Sequence, residues 1–389
     1  MKLAVIVDTF PRWSERFIAR ECNELVRRGV QLSIFCLKGS AGPGAGDDPV
    51  SDPEFAPLLP LRVVLPSGFS LLTAPKNDDP ETSRREQLAR EEVGLRQVWR
   101  ARCLAVQLRS GGFTHVHAHF ASLPSTLAWA ATAGISFSLS VHARDVFVEP
   151  QLLNVKLRDC TQLFTCHRRA FEHLAQLERD AGISGKVKLM HHGLPLEQFP
   201  VRERKITGAL KLLAAGRFVQ KKGFATLIEA LADARLSQRD WSLTLLGDGA
   251  EKPKLEALIE QRGVQNKVSL RPAVVGTELR ELFDQSDVFV APNETAPDGD
   301  ADGVPNTVLE AFALGLPVIG TQAGSLSEVL NEQTGTVVPE KRPQALAQAL
   351  LSLLEDPAPV LAKTATARAR IEAEYDIRKN MDAFLVRSS

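Results

Sequence analysis

The sequence lacks any excess of charge of one sign. Its 389 residues carry 47 lysines and arginines against 47 aspartates and glutamates. No basic field therefore argues for a nucleic-acid partner, and no acidic tail argues for a disordered, chaperone-like segment. Cysteine is also scarce: there are five, an odd number, with no C-x-x-C pair. They lie in patterns typical of a core, so a reducing cytoplasm is the expected compartment.

Long hydrophobic runs are scarce as well. The apolar part of residues 1–8 is too short for a signal peptide and ends in a charge, so it predicts a buried strand. Residues 120–141 contain no charge over 22 positions, which is long enough for a membrane span. Frequent serine and threonine, with Pro124 and Gly134, instead favour a buried helix from Pro124 to Ala133 and a strand from Ile135 to Val141. No transmembrane helix is expected.

What the sequence does contain is an alternation of strand-like and helical runs, which is typical of βαβ units and a parallel sheet. In the first half the predicted elements are Leu3 to Val7, Arg16 to Arg28, Gln31 to Leu37 and Thr114 to Ala118. Gly39 to Pro66 interrupts the alternation, and its glycines and prolines predict a surface excursion.

A second alternation begins after a polar linker at Val201. The predicted strands are Leu210 to Ala215, Trp241 to Leu246, Val268 to Leu270, Val288 to Pro292 and Pro317 to Gly320. The predicted helices are Gly223 to Ala234, Lys252 to Arg262, Leu279 to Gln285 and Ile371 to Val386. The predicted fold class is α/β, with two Rossmann-like, doubly wound domains facing a cleft. Their expected bounds are 1–200 and 201–370, and a C-terminal helix at 371–389 is expected to return toward the first domain.

One predicted helical segment is strongly basic. Glu81 to Arg109 places Leu95, Trp99, Cys103 and Val106 on one face, with arginines and several glutamates around the rest. Such a helix can lie on an anionic membrane surface. The favoured interpretation is a solvated helix laced with ion pairs.

Two carboxylates in the second half lie across a turn that opens a helix. Asp302 and Glu310 follow the apolar strand Val288 to Pro292, so they are expected at the carboxyl edge of the sheet, where open α/β sheets bind ligands. Arg217 and Lys222 follow the first strand of the same half and are expected at the same edge. Cations beside a helix N-terminus suit a diphosphate, because the exposed amides and the helix dipole also favour anions.

Two metal sites compete with this interpretation of the turn. The run from Asp298 to Gly303 imitates the start of a calcium loop, but its twelfth position is Leu309, so the bidentate carboxylate is missing. Asp298 and Asp300 can instead form a D-x-D pair that holds a metal-bound nucleotide. The phosphate site without a metal is favoured, because the adjacent cations already supply positive charge.

Histidines alternate along one predicted strand of the first half. His115, His117 and His119 share a face, and His142 ends the next strand. Alternating histidines can ligate zinc. Because no fourth ligand has a suitable spacing, His119 and His142 are instead predicted to be cleft residues, and His115 and His117 to be structural.

Taken together, several motifs resemble those of the retaining GT-B glycosyltransferases of family 4, the group 1 enzymes, and within them the branch that builds exopolysaccharides such as colanic acid or amylovoran. The resemblance covers nearly the whole chain. It rests on Thr9 to Ile18, His117-Ala-His-Phe120, Ser140 to Asp145, Gly216-Arg217 with Lys222-Gly223, Leu246 to Gly249 and the acidic turn.

The resemblance implies a nucleotide-sugar donor held mainly by the C-terminal domain. Arg217 and Lys222 match the residues on the diphosphate, and Glu310 matches the carboxylate that binds the ribose hydroxyls. Asp302, where the family commonly has glutamate, is expected to contact the transferred sugar. The remaining expected donor contacts lie in the acidic turn and near the base, at Gly303, Val304, Pro305, Asn306, Thr307, Ala273 and Val274.

The resemblance also implies an acceptor held mainly by the N-terminal domain. His142 matches the histidine near the reaction centre, and His119 is expected to face the same cleft. Ser14 and Glu15 lie on the first loop, facing the donor phosphates or the acceptor. Pro195 stands where the family commonly has aspartate, so no role is predicted for it.

The expected activity is metal-independent glycosyl transfer with retention, in which His142, Asp302, Arg217 and Lys222 are catalytic. No cofactor is expected beyond the nucleotide-diphosphate sugar as co-substrate. The protein is expected in the cytoplasm, with peripheral contact at the inner membrane surface. Its expected second partner is a glycan or lipid-linked acceptor, and no nucleic-acid partner is expected. The alternatives that stay open are a nucleotide-sugar epimerase or phosphorylase of the same fold, and a catalytically silent nucleotide-sugar-binding subunit.

Overall fold

The computed structural model of the protein describes residues 1–12, 15–38, 61–63 and 79–388. Their contacts divide the chain into two units. The first consists of Met1–Gly193 with Ile377–Ser389, and the second of Leu194–Asp376. The divisions thus fall near the expected borders at residues 200 and 370, and the last helix belongs to the first unit.

The first unit is built on seven strands: β1 (Lys2–Val7), β2 (Gln31–Cys36), β3 (Leu61–Val63), β4 (His115–His119), β5 (Ser136–Val141), β6 (Gln162–Thr165) and β7 (Val187–Leu189). They form one sheet in the order β3-β2-β1-β4-β5-β6-β7, and every pairing is parallel. In register, Leu3 lies opposite both Leu32 and His115. The β1 sequence is apolar and buried from Leu3 to Val7, as expected for a parallel strand covered on both faces.

Among the residues that the structure describes, these strands are connected by the helices α1 (Arg16–Arg27), α2 (Pro80–Val93), α3 (Leu95–Ser110), α4 (Leu123–Ala131), α5 (Ala143–Phe147), α6 (Leu153–Asp159) and α7 (Arg168–Asp180). The prediction of one helix over Glu81 to Arg109 is wrong, because Gly94, at φ 84°, separates α2 from α3. The predicted apolar face is also wrong in part, since Leu95 and Val106 are exposed. The buried face of α3 instead follows the helical spacing of Val98, Ala101, Leu104 and Leu108.

Three arginines of this segment, Arg84, Arg85 and Arg102, form ion pairs with carboxylates of the protein. Arg84 lies 2.8 Å from Glu81 and Arg102 lies 2.6 Å from Glu86. This agrees with the predicted solvated helix laced with ion pairs.

The uncharged stretch at 120–141 forms α4 and β5, which confirms the predicted helix and strand. Across the described ranges, no helix is both long enough and apolar enough to span a membrane. The surface excursion predicted for Gly39 to Pro66 lies mostly outside the described residues, but β3 within it is a strand that the sequence interpretation missed. Cys22, Cys36, Cys103 and Cys160 are buried as predicted, whereas Cys166 is only half-buried.

The second unit is built on six strands: β8 (Leu210–Ala215), β9 (Trp241–Leu246), β10 (Val268–Arg271), β11 (Val288–Ala291), β12 (Val318–Gly320) and β13 (Thr336–Val337). They form a second parallel sheet in the order β10-β9-β8-β11-β12-β13. Its helices are α8 (Phe224–Leu231), α9 (Ala234–Ser237), α10 (Lys252–Gln261), α11 (Gly276–Gln285), α12 (Asn306–Ala313), α13 (Pro343–Glu355), α14 (Ala358–Leu361) and α15 (Thr364–Glu374). The two predicted Rossmann-like sheets are therefore present.

The predicted final helix, Ile371 to Val386, is in fact two. The break falls after α15, where the Leu194 backbone N–H donates to the Tyr375 carbonyl at 2.7 Å. The last helix, α16 (Ile377–Ser388), packs in the first unit, where Met381 and Phe384 join the apolar cluster around β1 and α1. A backbone group taken by a neighbouring segment thus ends a helix that the apolar pattern alone would continue.

Candidate active site

The order in which the chain adds strands to the second sheet reverses at β8. From β8 the chain builds β9 and β10 on one side and then crosses to β11, β12 and β13 on the other. Open parallel sheets bind ligands beyond the carboxyl ends of the strands at such a switch point. Arg217 and Lys222 follow β8, and Asp302 follows β11, so the structure places these three predicted residues on the two loops that flank the switch point.

Glycine at position 223 lets the β8 loop approach the β11 loop closely. Gly223 has φ 65°, and a Cβ at this position would lie 1.9 Å from the Pro292 carbonyl oxygen. The Lys222 side chain passes over Gly216, where a Cβ would lie 3.1 Å from Lys222 Cε. Only glycine fits at position 223, and the close approach brings Lys222 against the acidic turn.

Asp302 is the centre of this site. Its Oδ2 atom lies 2.7 Å from Lys222 Nζ and accepts a 2.6 Å hydrogen bond from Asn293 Nδ2, while its Oδ1 atom lies 3.3 Å from Lys221 Nζ. The Asp302 side chain is only 12% exposed. Burial alone would raise the pKa of this carboxyl, but Lys222 and Lys221 hold the pKa below its ordinary value. The carboxylate is therefore ionised at neutral pH, with two ammonium groups as counter-charge.

Sequence reasoning missed Lys221 and Asn293. Lys221 Nζ lies 3.0 Å from Asp300 Oδ2 in addition to its contact with Asp302, so it joins two carboxylates of the acidic turn. Both missed residues had a usable signal, because Lys221 precedes Lys222 and Asn293 follows β11 at the same sheet edge. In this structure the carboxylates of Asp300 and Asp302 both face lysine ammonium groups.

Arg217 differs from the two lysines in being exposed. Within the described part of the chain it has no ion-pair partner, so its guanidinium is available to a ligand. The turn at 303–305 leads into α12, whose first residues, Asn306 and Thr307, are half-buried. The first N–H groups of a helix have no intrahelical acceptor, and here they lie beyond the same strand edge as Asp302. Glu310 is buried within α12.

The residues predicted to lie near the base are farther along the sheet. Ala273 and Val274 follow β10, which β9 separates from β8. Ala273 is exposed and Val274 packs partly against the core of the unit. The structure therefore places them at the same edge of the sheet but outside the group formed by Lys221, Lys222, Asp300 and Asp302, the lysine–aspartate cluster.

The first sheet has its own switch point, between β1 and β4. His119 ends β4, is 2% exposed, and places Nε2 3.9 Å from Glu21 Oε2 on α1. His142 follows β5, and its backbone N–H donates to Asp145 Oδ2 at 3.0 Å. Burial lowers the pKa of His119 to about 3 and raises that of Glu21, so this histidine is neutral at pH 7.

His115 and His117 are hydrogen-bonded at both ring nitrogens by serines of β5. The His115 nitrogens lie 2.9 and 2.7 Å from the hydroxyls of Ser136 and Ser138. Those of His117 lie 2.8 and 3.0 Å from Ser138 and Ser140. Because all four nitrogens are engaged, these two histidines are structural, as predicted, and offer no lone pair to zinc.

The first loop of this unit is described in part. Glu15 Oε1 accepts from Arg12 at 3.1 Å, and burial raises the pKa of Glu15 against the opposing effect of that arginine. Ser14 lies outside the described residues.

Comparison with known proteins shows which proteins the chain resembles. Residues 209–356, which contain the lysine–aspartate cluster, match the family model described as glycosyl transferases group 1. Over 99% of the chain the fold matches Anabaena HepE solved with UDP and glucose, at a TM-score of 0.69 and 16% identity over 98% of that chain. A sucrose-phosphate synthase from Thermosynechococcus elongatus matches 99% of the chain at a TM-score of 0.70 and 18% identity, over 97% of its own length. The chain has the two-domain GT-B fold.

Two curated glycosyltransferases of exopolysaccharide synthesis match part of the chain. The chain is 30% identical over 193 residues to the amylovoran biosynthesis glycosyltransferase AmsK of Erwinia amylovora, covering 49% of this chain and 47% of that protein. It is 29% identical over 198 residues to the putative colanic acid biosynthesis glycosyltransferase WcaL of Escherichia coli, covering 50% and 48%. The aligned segments thus span about half the length of these relatives.

Proposed function

We propose that the protein is a metal-independent, retaining glycosyltransferase that moves a sugar from a nucleotide-diphosphate sugar to an acceptor hydroxyl, in the synthesis of exopolysaccharide or another cell-surface glycan. The observation that carries this proposal is the switch-point cluster of the second unit, in which Arg217, Lys222 and Asp302 lie on adjoining loops next to the start of α12. The similarity to AmsK and WcaL supports the assignment to exopolysaccharide synthesis.

We infer a distinct task for each cation, and the contacts of the cluster support it. Lys222 Nζ contacts one carboxylate, Asp302, whereas Lys221 Nζ contacts two, Asp300 and Asp302. Lys222 is therefore the lysine that can turn toward a diphosphate while Lys221 keeps Asp302 paired. Arg217, exposed and without an ion-pair partner among the described residues, supplies the second charge on the departing diphosphate.

Electrostatic stabilisation of the leaving nucleotide is the main catalytic effect in this scheme. Positive groups fixed before the reaction lower the barrier because they need no reorganisation as charge develops on the leaving group. The first amides of α12 are fixed in this way, and Lys222 and Arg217 bring their charges to the diphosphate at the same sheet edge when the donor binds. Asp302 then contacts the transferred sugar, and Glu310 binds the ribose hydroxyls.

The first unit is proposed to bind the acceptor, with His142 near the reaction centre and His119, Ser14 and Glu15 around it. Retention of the anomeric configuration and a lipid-linked acceptor, with peripheral contact at the inner membrane surface, are proposed on the family resemblance. NMR of the product of a short incubation tests retention, because the one-bond carbon–proton coupling at the new anomeric carbon distinguishes the two configurations and can be compared with that of the donor.

Donor recognition is the first experiment. The full chain is screened by thermal shift against UDP, GDP, ADP and TDP sugars, since a ligand that binds the folded state raises its melting temperature. The preferred donor is then incubated with and without a glycan acceptor extract, and nucleotide release is measured. Release that requires acceptor supports transfer, whereas conversion of the donor alone supports an epimerase. The matches described above, to glycosyltransferases and a sucrose-phosphate synthase, lend no support to the epimerase or phosphorylase interpretations.

The carboxylates are tested by conservative substitution. Asp302→Asn and Glu310→Gln are expected to weaken donor use while leaving the fold intact. Glu256→Gln, an exposed change on α10, is the matched control and is expected to behave as wild type. Wild-type kinetics in both site variants would remove the proposed roles.

Metal independence is tested separately. Enzyme treated with a chelator is expected to keep its turnover. Loss of all turnover on chelation, with recovery on adding Mg²⁺ or Mn²⁺, would overturn the proposal that lysine, arginine and helix amides carry the charge of the departing nucleotide.

A further inference from the structure

A group of metal-ligand side chains lies in the first unit, in addition to the residues discussed so far. One nitrogen of His142, one nitrogen of His192 and the Cys166 sulfur lie within 4.8 Å of one another. All three side chains are half-buried, so the group is shielded from bulk water without being sealed from it. Sequence reasoning left His192 unassigned and placed Cys166 in the core.

A buried carboxylate fixes the orientation of His192. Its Nδ1 atom lies 3.1 Å from Glu21 Oε1, and Phe17 stacks on the ring with centroids 3.7 Å apart. A histidine that binds a metal through one nitrogen commonly has its other nitrogen bonded to a carboxylate in this way. Glu21 and Phe17 thus hold His192 with Nε2 as the nitrogen left for a ligand.

His142 is held less firmly. Its Nδ1 atom lies 3.5 Å from Asp145 Oδ2 but makes no hydrogen bond to it. Both of its ring nitrogens are buried and have no hydrogen-bond partner among the residues that the structure describes. A buried polar atom left without a partner is destabilising, so an ion or water that binds it relieves that cost. One carboxylate-bonded histidine and one histidine with unpartnered nitrogens therefore lie beside one thiol.

The set of donor atoms favours a transition metal over Mg²⁺ or Ca²⁺. Two imidazoles and a thiol suit Zn²⁺ and Co²⁺, whereas magnesium and calcium require oxygen ligands. Tetrahedral zinc places nitrogens about 3.3 Å apart and nitrogen and sulfur about 3.6 Å apart. The ligand atoms of the three residues lie at most 4.8 Å apart, so metal binding must bring them closer together by about 1.5 Å or less. The rings of His142 and His192 lie 5.2 Å apart and nearly parallel, at 22°, so one ring must turn to bring both lone pairs onto one ion. His142 can turn because its Nε2 gives up no hydrogen bond.

We propose that His142, His192 and Cys166 form a binding site for one Zn²⁺-class ion, with Glu21 as the carboxylate behind His192. Three protein ligands leave one coordination position open. This site lies in the first unit and is separate from the lysine–aspartate cluster of the second, so its existence does not depend on the proposed metal independence of donor cleavage. Because His142 is proposed to act near the reaction centre, an ion bound there withdraws that side chain, and excess Zn²⁺ is expected to slow transfer.

Cobalt is the probe, because its spectrum reports the ligands directly. The reduced, metal-free full chain is titrated with Co²⁺ under argon. The expected result is saturation at one equivalent, with a sulfur-to-cobalt charge-transfer band in the near ultraviolet and strong visible bands of a tetrahedral ion. One equivalent of Zn²⁺ is expected to remove both. A wild-type spectrum with only the weak bands of octahedral cobalt would overturn the proposal.

Variants assign the ligands. Cys166→Ser is expected to lose the charge-transfer band, and His192→Gln to weaken Co²⁺ binding at least about tenfold. Glu21→Gln is expected to keep the band while binding about ten- to a hundredfold more weakly, as for other carboxylates behind a metal-binding histidine. His173→Gln, an exposed histidine on α7, is the matched control and is expected to bind as wild type. Retention of the band in Cys166→Ser, with circular dichroism unchanged, would exclude this thiol as the ligand and with it the proposed site.

Discussion

Lys221 and Lys222 both contact Asp302, and replacing them one at a time separates an effect on the stability of the fold from an effect on the rate of the reaction. Lys222 Nζ lies 2.7 Å from Asp302 Oδ2, and no second carboxylate contacts it within the described residues. Lys221 Nζ lies 3.0 Å from Asp300 Oδ2 and 3.3 Å from Asp302 Oδ1. We expect Lys222→Ala to impair the reaction more than the fold, and Lys221→Ala to impair the fold more than the reaction.

The loss of stability expected for each variant depends on how buried the ion pair is and on which partners the carboxylates keep. The side chains of Lys221, Lys222 and Asp302 are 15%, 14% and 12% exposed. Breaking a fully buried pair costs about 3–5 kcal/mol, and breaking an exposed one costs about 1 kcal/mol or less. In Lys222→Ala, Lys221 and Asn293 still bind Asp302, so the expected loss of stability is about 1 kcal/mol. In Lys221→Ala two carboxylates lose a partner, and about 2 kcal/mol is expected.

The effect on rate is expected to have the opposite order. Losing the lysine that turns to the diphosphate is expected to cost a hundredfold in kcat, which is about 2.7 kcal/mol in the barrier. Lys221→Ala is expected to lower kcat by about tenfold or less, because Lys222 remains. Lys222→Arg is the charge-preserving control and is expected to recover part of the rate.

Urea unfolding and steady-state kinetics with the preferred donor measure the two effects on the same preparations. The midpoint and slope of unfolding give the stability change, provided that the slope is unchanged. Two results would refute the reasoning. One is wild-type kcat in Lys222→Ala, and the other is a greater loss of stability in Lys222→Ala than in Lys221→Ala.

Three further predictions concern the same loops. Arg217→Ala is expected to lower kcat about tenfold or more without moving the urea midpoint, because its guanidinium is exposed and has no ion-pair partner in the described ranges; a shifted midpoint would point to a structural role instead. Gly223→Ala is expected to lower the free energy of unfolding by more than about 2 kcal/mol, because its Cβ would meet the Pro292 carbonyl oxygen at 1.9 Å. Gly263→Ala is the control, because Gly263 has a similar φ of 69° but nothing within 4 Å of a Cβ, so only backbone strain is added. Equal urea midpoints for the two alanine variants would contradict the clash. The pKa of Asp302 is lowered in the folded state, so the unfolded state binds more protons near the ordinary value of 3.8, and stability is lost as the pH falls through the folded pKa. Asp302→Asn is therefore expected to flatten the decline in the urea midpoint between about pH 5 and pH 3, and an unchanged pH profile would show that this carboxylate does not titrate as described.

Periodicity predicted most strands because parallel strands are buried on both faces. The run Leu3 to Val7 is continuously apolar, and the structure buries each of its residues. The failures occurred where a single backbone position overrides the pattern. Gly94 breaks the helix predicted over Glu81 to Arg109, and the bond from Leu194 to the Tyr375 carbonyl ends α15. Periodicity measures which side chains can be buried, and it contains no information on which backbone groups another segment takes.

The site was predicted in outline because chain order and strand direction bring loops to a common edge. Arg217, Lys222 and Asp302 could be expected at one edge from their positions after strands. That edge rule gives no side-chain geometry, so it could not reveal that Lys221 joins Asp300 to Asp302. The pairing depends on how closely the β8 and β11 loops approach, and that distance is set by the Gly223 backbone against Pro292.

The second lysine bears on the shorter carboxylate at position 302. An aspartate reaches one methylene less far toward a ligand than a glutamate, and an ionised group of short reach is easily lost to a neighbouring cation. Here Asp302 is held by Lys222, Lys221 and Asn293 together, so departure of Lys222 to a diphosphate still leaves the carboxylate paired and oriented. With Lys222 alone, the same departure would leave a buried charge uncompensated, at a cost of about 3–5 kcal/mol. In the proposed mechanism, Lys221 therefore makes it energetically feasible for Lys222 to stabilise the resting site and then move to the leaving group.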